Sequence, residues 1–292
     1  MPANSRDIKR RIKSVKSISQ ITKAMELVAA AKMRKAQTQT KASRPYAQFS
    51  SALIKNLSKK TDYLTHPLFS RVLPEGKDAN SQKILAVIVT PDKGLAGALN
   101  TNLISKAVEL LKSEGRERFD VITVGKKGAD TARRMSLNIV AAFDGKDKDI
   151  SITDAKPIAE IVMRDFIDYK YEKVFVIYTD FISTLLQKPN VLQILPFVPE
   201  ESESKTGEYL FEPGPDEVLD KLVAKTIEFV IYQSLLEASA SEHSARMVAM
   251  RNANTAAGDL IDDLSLTYNS ARQAGITKEL SEISAAKLAM EG

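Results

Sequence analysis

The stretch that most resembles a reactive or binding loop is VIVTPDKGLAGALNTNL, Val87 to Leu103, an apolar run that breaks at a glycine-containing turn and resumes with helical character. A turn of this kind cups phosphate in the P-loop pattern GxxxxGK[ST], whose backbone N–H groups, Lys and hydroxyl complete charge and Mg²⁺ binding. Here Gly94 and Gly97 are only three apart, Ala98 and Leu99 stand where Lys and Ser/Thr are required, and the dinucleotide pattern GxGxxG is absent. The stretch therefore reads as a strand-to-helix connection, with Asp92 and Asn100 as turn and cap residues. Asp262 and Asp263 are adjacent on a helical segment, point in different directions and form no dyad. His243, within SASEHSARM, reads as a solvated or partner-facing imidazole, and Ser239, Ser241 and Ser244 lack the motif of an activated nucleophile. The one other histidine is His66, and there is no Cys. That composition excludes a disulfide, a thiolate metal site and a cysteine nucleophile, and argues against a histidine-based metal site. The expectation is no enzyme: no catalytic residue, no cofactor, no metal.

The elements that would carry these residues fall into three parts. No Gly occurs before Gly76 and, apart from Pro2, no Pro before Pro45, so a helix is free to run from about Asn4 to Arg44 and on to about Leu57, with a kink expected near Pro45. Its apolar positions Ile8, Ile12, Val15, Ile18, Ile21, Met25 and Val28 recur at steps of three and four and predict one buried stripe. At the other end Pro215, Asp216 and Glu217 signal a helix start, and no proline follows. Met247, Met250, Asn254, Ala257, Ile261, Leu264, Tyr268 and Ala271 alternate steps of three and four, which is a coiled-coil seam. At about 1.5 Å per residue the two helices measure roughly 80 and 105 Å. The simplest burial for them is against each other, antiparallel, with apolar surface left over at Leu260 and at the pair Met247 and Met250.

Between the helices the pattern changes to apolar runs alternating with helical stretches. Lys83–Thr90, Phe119–Gly125, Leu137–Phe143, Lys173–Phe181 and Asn190–Val198 read as strands, and Leu99–Ser113, Lys126–Met135 and Asp154–Tyr169 as helices, which predicts a mostly parallel central sheet. Pro199 to Glu208 is polar and reads as a loop. The expected divisions are an N-terminal helix over 1–58, a linker over 59–82, an α/β domain over 83–213 and a C-terminal helix over 214–292.

Charge is uneven. Arg6 to Arg44 holds 12 Lys and Arg against 2 acids, whereas the rest of the chain holds 30 against 35. A basic element on an acidic body suits a polyanionic neighbour: nucleic acid, an anionic membrane surface or acidic protein loops. A basic coiled-coil nucleic-acid binder is one reading, but the basic stretch has little aromatic interleaving and no recognised module, and the C-terminal helix is not basic. No apolar run approaches the roughly 20 residues that span a bilayer, and MPANSRDIKRRIK lacks the apolar segment of a secretory signal.

The segments ITKAMELVAAAKMRKAQ (Ile21 to Gln37), ASRPYA (Ala42 to Ala47) and the long run from Ala240 to Ile283 resemble the γ subunit of F-type ATP synthase, bacterial type. DKGLAGALN is similar to that family's first strand-to-helix turn and FISTLLQKPNVLQILP to its later strand region, so the resemblance covers essentially the whole chain. Ala96 and Ala98 stand where bacterial relatives often carry Cys or Gly, and the cysteine-bearing insert of chloroplast members is missing, so thiol control is not expected. The resemblance implies an α/β fold plus coiled coil: an antiparallel two-helix coiled coil from the terminal segments, with a central Rossmann-like α/β domain. It implies a central rotor stalk that couples proton-driven c-ring rotation to the nucleotide sites of an α/β hexamer, with α, β, ε and the c-ring as partners and no nucleic acid. The implied place is the cytoplasmic face of the bacterial plasma membrane. It carries over Met25, Arg34, Lys35, Arg246, Gln273 and Thr277 as contacts with α and β, and Tyr209 and Glu212 as contacts with ε and the c-ring.

Overall fold

The computed structural model of the protein describes residues 5–58, 83–145, 150–197 and 215–291. The expected linker at 59–82, the polar loop at 199–208, and Tyr209 and Glu212 lie outside the described residues. Helix α1 spans Ser5–Ser58 and continues through Pro45. Strands β1 (Lys83–Val89), β2 (Phe119–Val124), β3 (Asn138–Phe143), β4 (Tyr171–Phe181) and β5 (Gln187–Leu195) alternate with α2 (Leu99–Glu114), α3 (Lys126–Arg134) and α4 (Ile152–Ile167), and α5 runs over Pro215–Glu291. Each strand and helix read from the sequence is present, with ends moved by no more than a few residues. The chain forms two compact units, one of residues 1–29 with 246–292 and one of residues 30–245.

In the larger unit the sheet order is β3-β2-β1-β4-β5, parallel except for the antiparallel β4–β5 hairpin. Both faces of the central strands are covered, which is why β1 reads as an unbroken apolar run after Lys83 and β2 as a mostly apolar one. On one face Leu85, Val87, Val89 and Ile122 pack with Ile158, Val162 and Phe166 of α4 and with Val223, Ile227, Ile231 and Leu235 of α5. On the other, Ile84, Ala86, Ile88 and Val121 pack with Leu103, Ala107 and Leu111 of α2 and Ala132 of α3. Each large side chain buried this way contributes about 1.5–3 kcal/mol relative to exposure. α5 is also fixed to the sheet by polar ties: the Ser241 hydroxyl donates to the Thr179 carbonyl at 3.1 Å, and Ser244 to the Thr184 carbonyl at 2.8 Å. α1 meets α5 in this unit where the Ser43 hydroxyl lies 2.6 Å from Gln233 Oε1 and the rings of Tyr46 and Phe229 lie 3.9 Å apart.

The strand ends are cross-tied by Thr90. Its hydroxyl donates to the Val124 carbonyl at 3.0 Å and accepts from the Gly128 N–H at 2.7 Å. Gly125, at the β2-to-α3 turn, has φ 87°, and a Cβ there would fall 1.9 Å from the Thr90 carbonyl oxygen, so only glycine fits. The glycine-containing stretch after β1 is indeed a strand-to-helix connection, with φ positive at Leu95 and Gly97. Its chemistry differs in detail from the expectation. Ala98, not Asn100, holds the N-cap position of α2, and Asn100 sits inside the helix with Oδ1 buried and unpaired. Asp92 works further afield, accepting from the backbone N–H of Lys126 at 2.8 Å and of Gly145 at 3.0 Å, which ties together three strand-end turns.

Candidate functional site

In the smaller unit, the first turns of α1 pair with α5. α5 presents the expected seam: Met247, Met250 and Ala257 are buried, and Asn254, Ile261, Leu264, Tyr268 and Ala271 are half-buried. Met247 and Met250 are thus covered within this chain rather than left for a partner, while Leu260 stays exposed. Beyond Ala271, residues 272–287 are all exposed.

The α1 face differs from the predicted stripe. Ile8, Ile12 and Val15 face inward, but Ile18, Ile21 and Val28 are 50%, 58% and 57% exposed. The face that continues inward is Ser19, Thr22, Glu26 and Ala29. Each of Ile18, Ile21, Met25 and Val28 lies one residue before its inward neighbour, about 100° round the helix. The inward polar residues are acceptable there because they are partnered. Ser19 donates to Asn254 Oδ1 at 2.8 Å, and the Glu26 carboxylate accepts from Arg251 Nε and from Lys23 Nζ, each at 3.0 Å. Those hydrogen bonds, from Lys23 first and Arg251 second, hold the Glu26 carboxyl below the usual range. The higher-numbered α1 residue meets the lower-numbered α5 residue, so the pair runs antiparallel.

A consequence is that Ile18, Ile21 and Val28 lie exposed along one side of a helix rich in Lys and Arg, with Leu27 exposed on another side. Single exposed apolar residues are ordinary, but several spaced along one side of a helix are a feature of contact surfaces. On α5 the same holds for Ile276, Leu280 and Ile283, which recur at steps of four and three in the exposed final stretch.

The individual candidates are placed as follows. Met25 is half-buried; Arg34 and Lys35 are exposed on α1, within the larger unit. Arg246 is buried in this chain. Gln273 and Thr277 are exposed and one helical turn apart, so they share a face of α5. His243 is 5% exposed, which corrects the expectation of a solvated or partner-facing imidazole: it is a packed residue of the larger unit. Ser241 and Ser244 are committed to backbone carbonyls, as described. The exposed apolar side of α1 was missed by pattern reading because apolar spacing was taken as burial. The run Ala29, Met33, Ala36 and Thr40, all buried at steps of four, three and four, was the available signal for the true face.

In doubly wound folds a nucleotide sits outside the carboxyl ends of the parallel strands. Here that crevice presents the carboxylates of Asp92, Asp144 and Asp154. Among the described residues no group of three or more His, Cys, Asp and Glu is arranged to hold a metal, and no helix is long and apolar enough to cross a membrane.

Comparison with known proteins follows this geometry. Residues 4–290 match a family model described as ATP synthase. The chain is 42% identical over 288 residues to a protein of Pelotomaculum thermopropionicum named ATP synthase gamma chain, covering 98% of this chain and 99% of the relative. It is 40% identical over 293 residues to a protein of the same name from a Roseiflexus species, covering 99% of each. Among solved structures, a chain of the Euglena gracilis mitochondrial ATP synthase, from an assembly of OSCP, F1 and c-ring, shares the fold with a TM-score of 0.69 at 20% identity, over 98% of this chain and 94% of that one.

Proposed function

The chain belongs to the ATP synthase gamma-chain family, and from that membership we infer that it is the central rotor stalk subunit, coupling c-ring rotation to conformational change at the nucleotide sites of the α/β hexamer. The observation that carries this reading is the full-length relationship to gamma chains at about two residues in five, without a gap of domain size.

The mechanism follows from asymmetry. A single chain cannot show three equivalent faces to three identical β subunits, so each β meets a different side of the paired helices. A partner shifts a conformational equilibrium only through differential contact free energy, and reciprocity makes the nucleotide state act back on the angle of the stalk. The outward residues suit this work. The exposed apolar residues Ile18, Ile21 and Val28 offer contact without directional bonds, and exposed charge pairs contribute only about 0–1 kcal/mol each, so no one angle is locked. The inward face, by contrast, is pinned by the Ser19–Asn254 and Glu26–Arg251 bonds, which resist slippage of one helix along the other.

On this reading the chain itself is non-catalytic, and the hexamer holds the chemistry. Met25, Arg34, Lys35, Arg246, Gln273 and Thr277 are the contacts with α and β, and Tyr209 and Glu212 those with ε and the c-ring. Residues 1–58 and 214–292 form the rotor helices, and 83–213 the α/β domain. As part of that complex the chain is a peripheral subunit, which this reading puts at the cytoplasmic face of a bacterial plasma membrane. The basic charge of α1 is common to both readings, and the full-length relationship to gamma chains favours the rotor over the nucleic-acid reading. The test is to purify the native assembly and assay ATP-driven proton pumping with Arg246→Ala. Co-purification with α and β and reduced pumping per ATP hydrolysed are expected; recovery of this chain without α and β sinks the proposal, and unchanged pumping removes Arg246 from it.

A further inference from the structure

Asp144 and Gly145, where β3 leaves the sheet, are the one Asp-Gly pair in the sequence, and Asp144 is exposed. The dipeptide is chemically labile. The backbone nitrogen that follows an aspartate lies within reach of the side-chain carboxyl carbon, and glycine, with no Cβ, neither blocks the approach nor restricts the rotation that brings the two together. When the nitrogen attacks, an N–Cγ bond forms, a C–O bond of the protonated carboxyl breaks and one water leaves, giving a succinimide. Addition of water then breaks one of the two bonds from nitrogen to a ring carbonyl. Breaking N–Cγ restores aspartate. Breaking the bond to the backbone carbonyl leaves an isoaspartyl residue, whose main chain runs through Cγ and is longer by one carbon, with no net change in mass.

The fold both requires this glycine and restrains it. A Cβ at position 145 would fall 2.9 Å from Asp92 Oδ1 and 3.0 Å from Asp92 Cγ, so the glycine is what lets the Asp92 carboxylate come close. There Oδ1 accepts from the Gly145 N–H at 3.0 Å, and the Lys126 N–H, at 2.8 Å, anchors the same oxygen to the β2-to-α3 turn. On the other side of Asp144, the Phe143 carbonyl accepts from the Gly125 N–H at 2.8 Å. Both peptide groups flanking Asp144 are thus fastened, and every residue involved belongs to the larger unit. Three effects oppose ring closure. The nitrogen that must attack is already donating its hydrogen, its peptide cannot swing toward Cγ without breaking that bond, and the fixed charge of Asp92 disfavours loss of the amide proton.

We propose that Asp144–Gly145 is a site of covalent isomerisation in this chain, aspartate to isoaspartate, and that Asp92 is the residue that holds the reaction back in the folded state. The rate is then gated by local opening of the strand-end turns rather than by global unfolding. The product loses the Asp92 tie, because the added backbone carbon displaces the Gly145 N–H. The inference stands on this turn alone and is independent of the rotor reading.

The test measures isoaspartate at this site by peptide mapping of the full chain, incubated folded in mildly acidic buffer made with heavy-oxygen water, beside the synthetic peptide VAAFDGKDKD, residues 140–149. The folded parent is expected to isomerise at least about tenfold more slowly than the peptide. Asp92→Ala, which removes both accepted bonds, is expected to speed the reaction in the full chain roughly tenfold. Asp92→Asn, whose amide oxygen still accepts both but carries no charge, is expected to speed it roughly threefold. Circular dichroism establishes that each variant is folded. A folded parent as fast as the peptide, or a folded Asp92→Ala variant no faster than the parent, overturns the proposal. If Asp92→Ala fails to fold, Asp92→Asn decides in its place: a rate equal to the parent's or below it is refutation.

Discussion

The most informative perturbation is removal of one buried proton. Glu237, on α5, is 5% exposed, and its Oε1 accepts from Gln233 Nε2 at 2.8 Å and from Arg44 of α1 at 3.3 Å. Burial, and then hydrogen bonding with the neighbouring Asp180 carboxyl on β4, push its pKa up to about 7; Gln233 and Arg44 pull the other way. The folded chain therefore holds a proton that the unfolded chain, with Glu near 4.5, has released. Stability is greatest at low pH as far as this group is concerned, falls as pH rises from about 4.5 to about 7, and is level above that. A displacement of this size corresponds to about 3 kcal/mol, and solvent screening around the half-exposed Arg44 reduces the expected effect to on the order of 2 kcal/mol. Glu237→Gln imitates the protonated acid: its carbonyl oxygen still accepts from Gln233 and Arg44, and its amide donates toward Asp180. Denaturant unfolding of both proteins, at intervals from about pH 4.5 to about pH 8, isolates the joint titration of Glu237 and Asp180, because groups distant from this pair cancel in the difference. The variant is expected to match the parent at the acid end and to exceed it by on the order of 2 kcal/mol at the alkaline end. A difference that stays constant across this range refutes the reasoning.

Four further outcomes are expected. Glu26→Gln removes the carboxylate that Lys23 and Arg251 hold below its ordinary range; that contribution is present above the unfolded pKa and lost as pH falls through the folded one, so the variant melts lower than the parent at neutral pH and the gap closes in acid, as circular dichroism melts will show. Gly125→Ala drives a Cβ to within 1.9 Å of the Thr90 carbonyl oxygen, so the soluble yield and the melting midpoint should drop sharply, and a native-like melt would contradict the turn geometry. A double-mutant cycle of Ser19→Ala and Asn254→Ala should give a coupling of about 1 kcal/mol in unfolding experiments, with zero coupling showing that the seam bond is not formed in solution. Leu103→Ala, at a side chain only 1% exposed between α2 and the sheet, should cost about 2–5 kcal/mol by the same measurement.

What could be read from residue order alone were features set by local rules. Strands buried on both faces must be apolar runs, so β1, β2 and β4 announced themselves, and the spacing between them left room only for helical crossovers and hence a mostly parallel sheet. The α5 seam was legible because its residues obey a strict three-four alternation from Met247 to Ala271 that no other structure tolerates so well. The surface proposed for partners was legible as a charge imbalance but not as a set of side chains. Which side of α1 faces inward was decided by its neighbour: Asn254 and Arg251 make an interior of Ser19 and Glu26, and leave Ile18, Ile21 and Val28 outside. The reason is that a polar group accepts burial once its hydrogen bonds are met, and those partners lie more than 220 positions away in the chain. Asn100 and His243 teach the same point. Their residue types favour a cap and a solvated surface, but in the fold the Asn100 Oδ1 and the His243 side chain are both buried.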